Sequence, residues 1–369
     1  MRAAVLQEPG RPVQIEDLVL DQPRAGEVRV RIKASGVCHS DLHLRDGEWP
    51  RPGPFVIGHE GAGIVEALGP GVDPVSSGLH VGGLVALTWY APCGQCPACR
   101  SGREWLCSGS GASRHRMSDG TTRIHRADGS EVYPYCGIGT MAEATVLPAS
   151  AAIPMPGGTA PEVAALIGCC VSTGVGAVTK TARVPAGASV VVIGLGGVGL
   201  SAVMGARLAG ADPIVAVDRV PAKLELASAL GATELVLAGS NEAATDEAIR
   251  AKARPGPDFT FEAIGLAATI DQAIRVLPPG GTAVLIGMTP FGVRASFEVF
   301  PFVDGSRSIL GSNYGFAVAS VDFPHYAQLQ LGGRLPIERL VEERIGLDDI
   351  EAAFERLRGG QGLRSVVTF

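Results

Sequence analysis

Val190-Val191-Val192-Ile193-Gly194-Leu195-Gly196-Gly197-Val198-Gly199 decides the fold, because an apolar run passes directly into a glycine-spaced turn and then into a second apolar run. That order is a buried strand, a tight turn and the first turn of a helix. Gly196 lets the backbone approach a pyrophosphate, and Gly199 lets helix and strand pack closely. About 20 residues on, Asp218 closes the next apolar run, where a carboxylate accepts both hydroxyls of a ribose. The combination predicts a bound dinucleotide; the alternative is a glycine-rich turn without a ligand. Asp218 opposes the additional phosphate of NADP and so favours NAD, whereas neighbouring Arg219 would pair with such a phosphate.

Working outward, further strands are expected at Ile214 to Val217, Glu234 to Leu237, Phe259 to Phe261 and Ala283 to Ile286, with helices between them. Strands alternating with helices predict an α/β fold with a doubly wound parallel sheet. From Met1 to about Tyr90, short Val/Ile-rich runs alternate with Pro and Gly, which predicts a mainly β lobe. At Thr159-Ala160-Pro161-Glu162 a hydroxyl stands three residues before a carboxylate, so a helix should begin there and carry Cys169 forward. Beyond about Asn313 the regularity fades, and Arg364 to Phe369 reads as a strand returning to the first lobe. The expected division is 1–170, 171–313 and 314–369.

The 369 residues suffice for two cores, with 46% hydrophobic residues. A net charge of −6 gives no general attraction to nucleic acid or anionic membranes, and the arginine-rich Arg100 to Arg126 reads as a solvated loop. Met1 to Gly10 carries Glu8 and Pro9 where a secretory signal needs an apolar run. Val190 to Ala211 is interrupted by glycines and Arg207, which suits a buried strand, turn and helix rather than a membrane span. A soluble cytoplasmic protein is expected.

In such a chain the eight cysteines point to metal thiolates rather than disulfides. Cys93, Cys96, Cys99 and Cys107 provide four thiolates within fifteen residues, enough to close a tetrahedral zinc site with no position left for substrate. Its role should therefore be structural; a nucleic-acid-binding zinc ribbon is the rival, and the acidic chain argues against it. A second set is dispersed: Cys38, His59 with Glu60, and either Cys169 or Cys170. Singly these would be a core cysteine or a surface pair, but two thiolates and an imidazole together make an open catalytic zinc site.

These residues resemble the zinc-dependent medium-chain alcohol dehydrogenases over essentially the whole chain. Gly36-Val37-Cys38-His39-Ser40-Asp41 resembles the family's first zinc-ligand loop and Gly58-His59-Glu60-Gly61-Ala62-Gly63 its second. Leu166 to Gly174 resembles the third and places the family ligand on Cys169, leaving Cys170 a bystander. The resemblance implies a Rossmann domain plus a mainly β, GroES-like catalytic domain, two zinc ions per chain, and NAD. It implies that Cys38, His59 and Cys169 hold the catalytic zinc, with Glu60 just outside or an occasional ligand, and that Asp41 orients His59. Ser40 would take the alcohol proton and pass it through the cofactor ribose to His43. The cofactor would meet His39, Thr173, Gly194, Gly196, Gly197, Val198, Gly199, Asp218, Lys223 and Arg364. His39 stands where many members carry arginine. Trp49, Trp89 and Tyr135 occupy substrate-pocket positions, which favours bulky or aromatic primary alcohols over ethanol. Zinc would acidify the alcohol hydroxyl as it does water, whose pKa falls to about 7 on the metal. Ser108 to Ser130 resembles the longer loop of dimeric members, so a homodimer is expected, with a tetramer second. The rivals are a polyol or secondary-alcohol dehydrogenase and a non-enzymatic zinc and NAD sensor.

Overall fold

Six short strands, each ending where a loop must turn towards a helix, form a parallel sheet in the order Glu234–Leu237, Ile214–Asp218, Val190–Ile193, Phe259–Glu262, Thr282–Leu285, Ser308–Gly311. The order reverses between Val190–Ile193 and Phe259–Glu262, which places a crevice at their carboxyl ends, where open α/β sheets bind nucleotides. The structure, a computed structural model, describes residues 1–112, 115–117, 119–253, 256–360 and 362–369. Ser113, Arg114 and Ser118, within the loop matched to dimeric members, lie outside the described residues.

Two units are distinguished: Met1–Cys169 with Val318–Phe369, and Cys170–Ala317. The second contains the parallel sheet. Val191, Ile193, Val215 and Val217 face Ile249, Ala253 and Ala273 from the flanking helices and form its main core. Ser308–Gly311, which sequence periodicity misses, is a four-residue edge strand whose side chains are exposed or half-buried, so it lacks the apolar run of its neighbours.

The first unit is mainly β. Its central strand, Glu27–Gly36, pairs antiparallel with Glu60–Leu68, with Ala144–Pro148 and with Arg364–Thr368. A core around Leu6, Leu44, Phe55, Ile57 and Phe354 packs beneath. Two details differ from expectation. The helix after Thr159 begins at Pro161, and no capping box forms: Thr159 Oγ1 donates backwards to Pro156 O at 2.8 Å, while proline supplies the first helical residue without an N–H to satisfy. Cys169 lies not in regular α-helix but in the π-helical turn Ile167–Val171, a widening that re-aims side chains and is frequent at functional sites. The run Pro161–Thr181 is long and apolar enough to cross a membrane, yet 83% of its most apolar window is buried within the protein.

Candidate active site

The dispersed ligand set converges. Cys38 precedes helix His39–Arg45, His59 and Glu60 lie at the start of strand Glu60–Leu68, and Cys169 comes from the π-helical turn. One ligand atom from each of Cys38, His59, Glu60 and Cys169 lies within 4.8 Å of every other, and all four residues are buried. Gly36 makes room for Glu60, since a Cβ there would collide with its Oε2.

Asp41 organises the cluster. It is fully buried; Oδ1 accepts from Gly58 N at 3.2 Å and pairs with His59 Nδ1 at 3.0 Å, and Oδ2 accepts from Cys38 N at 3.3 Å. Because a carboxylate accepts, Nδ1 of His59 carries the hydrogen and Nε2 keeps its lone pair for a metal. Burial opposes charge on His59, but Asp41 and the Cys38 thiolate outweigh it and hold its pKa well above the ordinary imidazole value. A hydrogen bond from Cys169, against burial and with the help of Arg364, holds Cys38 well below the usual thiol range. Burial pushes Glu60 up to about 7 despite Arg364. The arrangement is a compact anionic set whose charges need a cation. Two thiolates and an imidazole with a further carboxylate suit zinc, and the three strong ligands leave one position open.

The four-cysteine lobe gathers equally closely, its sulfur atoms all within 4.8 Å of one another. Backbone N–H groups point at the sulfurs: Cys93 N to Cys107 Sγ at 3.3 Å, Cys96 N to Cys93 Sγ and Cys99 N to Cys96 Sγ at 3.4 Å each. Backbone N–H groups of Cys99 and Ser108 draw the Cys96 thiol down to about 6, whereas burial and its thiol neighbours push Cys99 up to about 12. Four thiolates cannot ionise side by side without a cation, and tetrahedral zinc fits this set. Among the described residues these two are the only groups of three or more such ligands held so closely.

In the second unit the glycine-rich turn has the required shape. A Cβ on Gly196 would meet nothing within 4 Å, which leaves its backbone open to a ligand, whereas one on Gly199 would collide with Gly194 O. Asp218 is tied to the turn: Oδ2 accepts from Leu195 N at 2.8 Å and Oδ1 from Val220 N at 2.9 Å. Each oxygen retains a second lone pair for a ribose hydroxyl. Gly197 and Val198 lie in the first turn of helix Gly197–Ala209, Lys223 in that of helix Pro221–Leu230, and Thr173 in Ser172–Gly176. His39 is exposed at the first position of helix His39–Arg45 in the other unit.

This pattern of sites is matched across known proteins. Residues 24–157 match the alcohol dehydrogenase GroES-like domain and residues 197–330 the zinc-binding dehydrogenase family. The chain belongs to the zinc-dependent medium-chain alcohol dehydrogenases. It is therefore a member of an NAD-dependent oxidoreductase family with catalytic and structural zinc. It is 36% identical to S-(hydroxymethyl)glutathione dehydrogenase of Paracoccus denitrificans, covering 100% of this chain and 99% of that protein. Among solved structures it resembles an alcohol dehydrogenase zinc-binding domain protein from Burkholderia ambifaria, with TM-score 0.93, 36% identity and coverage of 100% and 98%. It also resembles benzyl alcohol dehydrogenase from Acinetobacter calcoaceticus, with TM-score 0.89, 31% identity and coverage of 100% and 99%.

Around the zinc ligands, Trp89 and Tyr135 stand edge-on to the His59 ring, at 6.1 Å and 5.8 Å between centroids. Tyr135 Oη donates to the backbone oxygen of Ser40 at 3.4 Å. Trp49 stacks on His43. Arg364 is buried in the first unit. Its Nη1 donates to Val37 O at 2.7 Å, and its Nη2 lies 3.2 Å from Glu60 Oε1 and 3.8 Å from Cys38 Sγ. Sequence reasoning missed Glu48, which meets the His43 ring, and Glu262, a buried carboxylate at the end of the fourth sheet strand. Glu262 Oε1 accepts from Ile264 N, Gly265 N and Thr269 Oγ1 at 3.0, 2.8 and 2.7 Å, and so holds the loop at the sheet's switch point. Its only sequence signal is a carboxylate at the end of the short run Phe259-Thr260-Phe261.

Proposed function

We propose that this dehydrogenase oxidises bulky or aromatic primary alcohols to aldehydes with NAD, reversibly, and that Ser40 and His43 carry the released proton. The observation that carries the substrate reading is the pair of aromatic rings, Trp89 and Tyr135, edge-on to the zinc-ligand imidazole of His59. They offer apolar faces to a ring or chain attached to the carbinol carbon. When bound, zinc acidifies the alcohol hydroxyl and NAD takes the hydride. Cys38, His59 and Cys169 would hold the metal, Glu60 would stand by as a further carboxylate, and Asp41 would keep the His59 ring aimed. Ser40 Oγ would receive the alcohol proton and His43 would accept it for release. His39, Thr173, Gly194, Gly196, Gly197, Val198, Gly199, Asp218, Lys223 and Arg364 would bind the cofactor. Asp218 selects against a 2′-phosphate.

A second reading is favoured by the relatives named S-(hydroxymethyl)glutathione dehydrogenase: the substrate would be a hydroxymethyl adduct of a thiol. One panel separates the two. NADH formation at 340 nm with benzyl alcohol, ethanol and formaldehyde plus glutathione should give the highest kcat/KM for benzyl alcohol. A glutathione-dependent rate with formaldehyde far above it would establish the second reading.

We also infer a homodimer through the Cys170–Ala317 unit. Among the described residues strand Ser308–Gly311 pairs on one side only, and Val299, Phe300 and Val303 of the helix Val299–Asp304 that precedes it are at least 65% exposed. An edge strand beside an apolar patch suits a second copy of the chain. Light scattering should give twice the chain mass, and Phe300→Glu should shift it towards one chain. That none of the eight cysteines is in a disulfide suits a reducing compartment, in keeping with the cytoplasm.

A further inference from the structure

The chain after helix His39–Arg45 folds back over the helix. Gly47 N donates to Leu44 O at 3.1 Å, and Gly47 adopts φ +79°, a left-handed conformation suited to glycine. Glu48 N and Trp49 N then both donate to His43 O, at 3.0 and 3.2 Å. The indole of Trp49 is thereby laid on the imidazole of His43, with centroids 4.7 Å apart and planes 25° apart. The carboxylate of Glu48 meets Nδ1 of the same ring. Held on two sides, the His43 side chain is 17% exposed, although Glu48 itself faces solvent.

We propose that Glu48 and Trp49 clamp His43 in one orientation and one tautomer, which makes Glu48 a positioning residue for proton release. The inference rests on the reading of His43 as the outward carrier of the alcohol proton. A carboxylate ionised near neutral pH only accepts, so its contact with Nδ1 puts the ring hydrogen there. The neutral ring then has its lone pair on Nε2, the nitrogen free to take up a proton. After uptake, both nitrogens carry hydrogen, and Glu48 balances the new charge. Stacking on Trp49 opposes the ring flip that would exchange the nitrogens. A pair of this kind at the surface adds little to stability, so its effect should fall on turnover rather than on the fold.

The test uses the zinc-loaded enzyme with histidine labelled by nitrogen-15, the His43 signals being assigned by their loss in His43→Gln. The unmodified protein should show Nδ1 protonated. Glu48→Leu should move the hydrogen to Nε2 or mix the two forms, while Glu48→Gln, whose amide oxygen can accept the same hydrogen, should keep it on Nδ1. Glu48→Leu should lower kcat for benzyl alcohol about tenfold, a modest part of the 10²–10⁴ typical of a whole acid–base group, with KM unchanged. In the His43→Gln background the same change should add nothing. An unaltered tautomer in Glu48→Leu, or a tenfold loss that persists without His43, would overturn the clamp. Wild-type kcat in His43→Gln would instead remove the relay reading and with it the kinetic role of Glu48, leaving the nitrogen signals to decide the clamp itself.

Discussion

Nη2 of Arg364 lies 3.2 Å from Oε1 of Glu60, and both side chains are almost wholly shielded from solvent. The guanidinium comes from the last strand of the chain and the carboxylate from the strand that follows His59, so the pair ties the terminus to the zinc ligands. Losing one partner of a buried pair is destabilising because the other group is left without compensation, and Glu60, already pushed up to about 7 by burial, would then have to take up a proton. Arg364→Met should therefore lower the thermal midpoint markedly, and Arg364→Met with Glu60→Gln should recover a substantial part. If the double variant is as unstable as the two single losses added together, the pair is not coupled as the geometry indicates.

Two ligand clusters of different openness imply two zinc ions with different jobs. Elemental analysis should find two zinc ions per chain. Cys99→Ser should lose one and destabilise the fold, since a closed structural site contributes folding free energy directly. Cys38→Ser should lose the other and abolish turnover while the circular dichroism spectrum stays unchanged. Full activity in metal-free protein would defeat both assignments.

His115 supplies a test of pH dependence away from the metal. Its ring is buried, accepts from Cys136 N at 3.0 Å through Nδ1 and stacks on Tyr135 at 5.3 Å. Burial, followed by the charge of Arg51, pushes its pKa down to about 4 from 6.5. The unfolded chain thus binds a proton below about 6.5 that the folded chain refuses until about 4, so this contribution is complete above the upper value and is lost as pH falls through the window. At about 1.4 kcal/mol per unit, the loss reaches about 3 kcal/mol. Urea unfolding at pH 7 and at pH 4.5 should show a smaller difference in His115→Phe than in the unmodified protein. Equal differences would mean that His115 titrates normally.

How much of this was legible in the sequence depended on the distance between the partners. The strand Val190–Ile193 and its glycines follow from local periodicity, and the four cysteines declare themselves because their spacing lies within one short segment. The second zinc set is visible as residue types, but Cys169 could be separated from Cys170 only by resemblance, because a π-helical turn decides which sulfur faces the cluster. Arg364 and Glu60 are joined only by strand pairing across almost the whole chain, for which a single sequence carries no signal. Glu48 is close to His43 in sequence, yet the contact requires the reversal at Gly47. At Thr159 the capping pattern was present and the cap was not, because the helix begins at Pro161 and puts Ala160, which has no side-chain oxygen, in the capping position.

Asp218 holds the glycine-rich turn through both oxygens while keeping a lone pair on each for a ribose. A 2′-phosphate would bring like charge against it, so kcat/KM should be higher with NAD than with NADP. Asp218→Gly should narrow the preference and, by freeing Leu195 N and Val220 N, weaken binding of both cofactors. Equal efficiency with both cofactors in the unmodified enzyme would mean that Arg219 dominates.

The aromatic wall around His59 sets the expectation for substrates. Trp89 and Tyr135 stand nearly perpendicular to the imidazole, and Trp89 is half-buried, with the centroid of its indole also 4.6 Å from that of Tyr90. A benzyl or long-chain alcohol can bury remote carbons against such rings, each methylene contributing about 0.8 kcal/mol, and can use that binding to hold the carbinol carbon in place for hydride transfer. Ethanol has no remote carbons and should show the lower kcat/KM. The same rings could instead fill the channel and admit only short alcohols, and Trp89→Ala distinguishes a wall from a plug. If the indole is a contact, the truncation lowers kcat/KM for benzyl alcohol by about tenfold, the equivalent of roughly 1.4 kcal/mol, and changes ethanol little. If the indole is a plug, the truncation raises benzyl alcohol activity from a low starting value. The second result, together with a preference for ethanol in the unmodified enzyme, would overturn the substrate reading while leaving zinc-dependent alcohol oxidation intact, because none of the zinc ligands is changed.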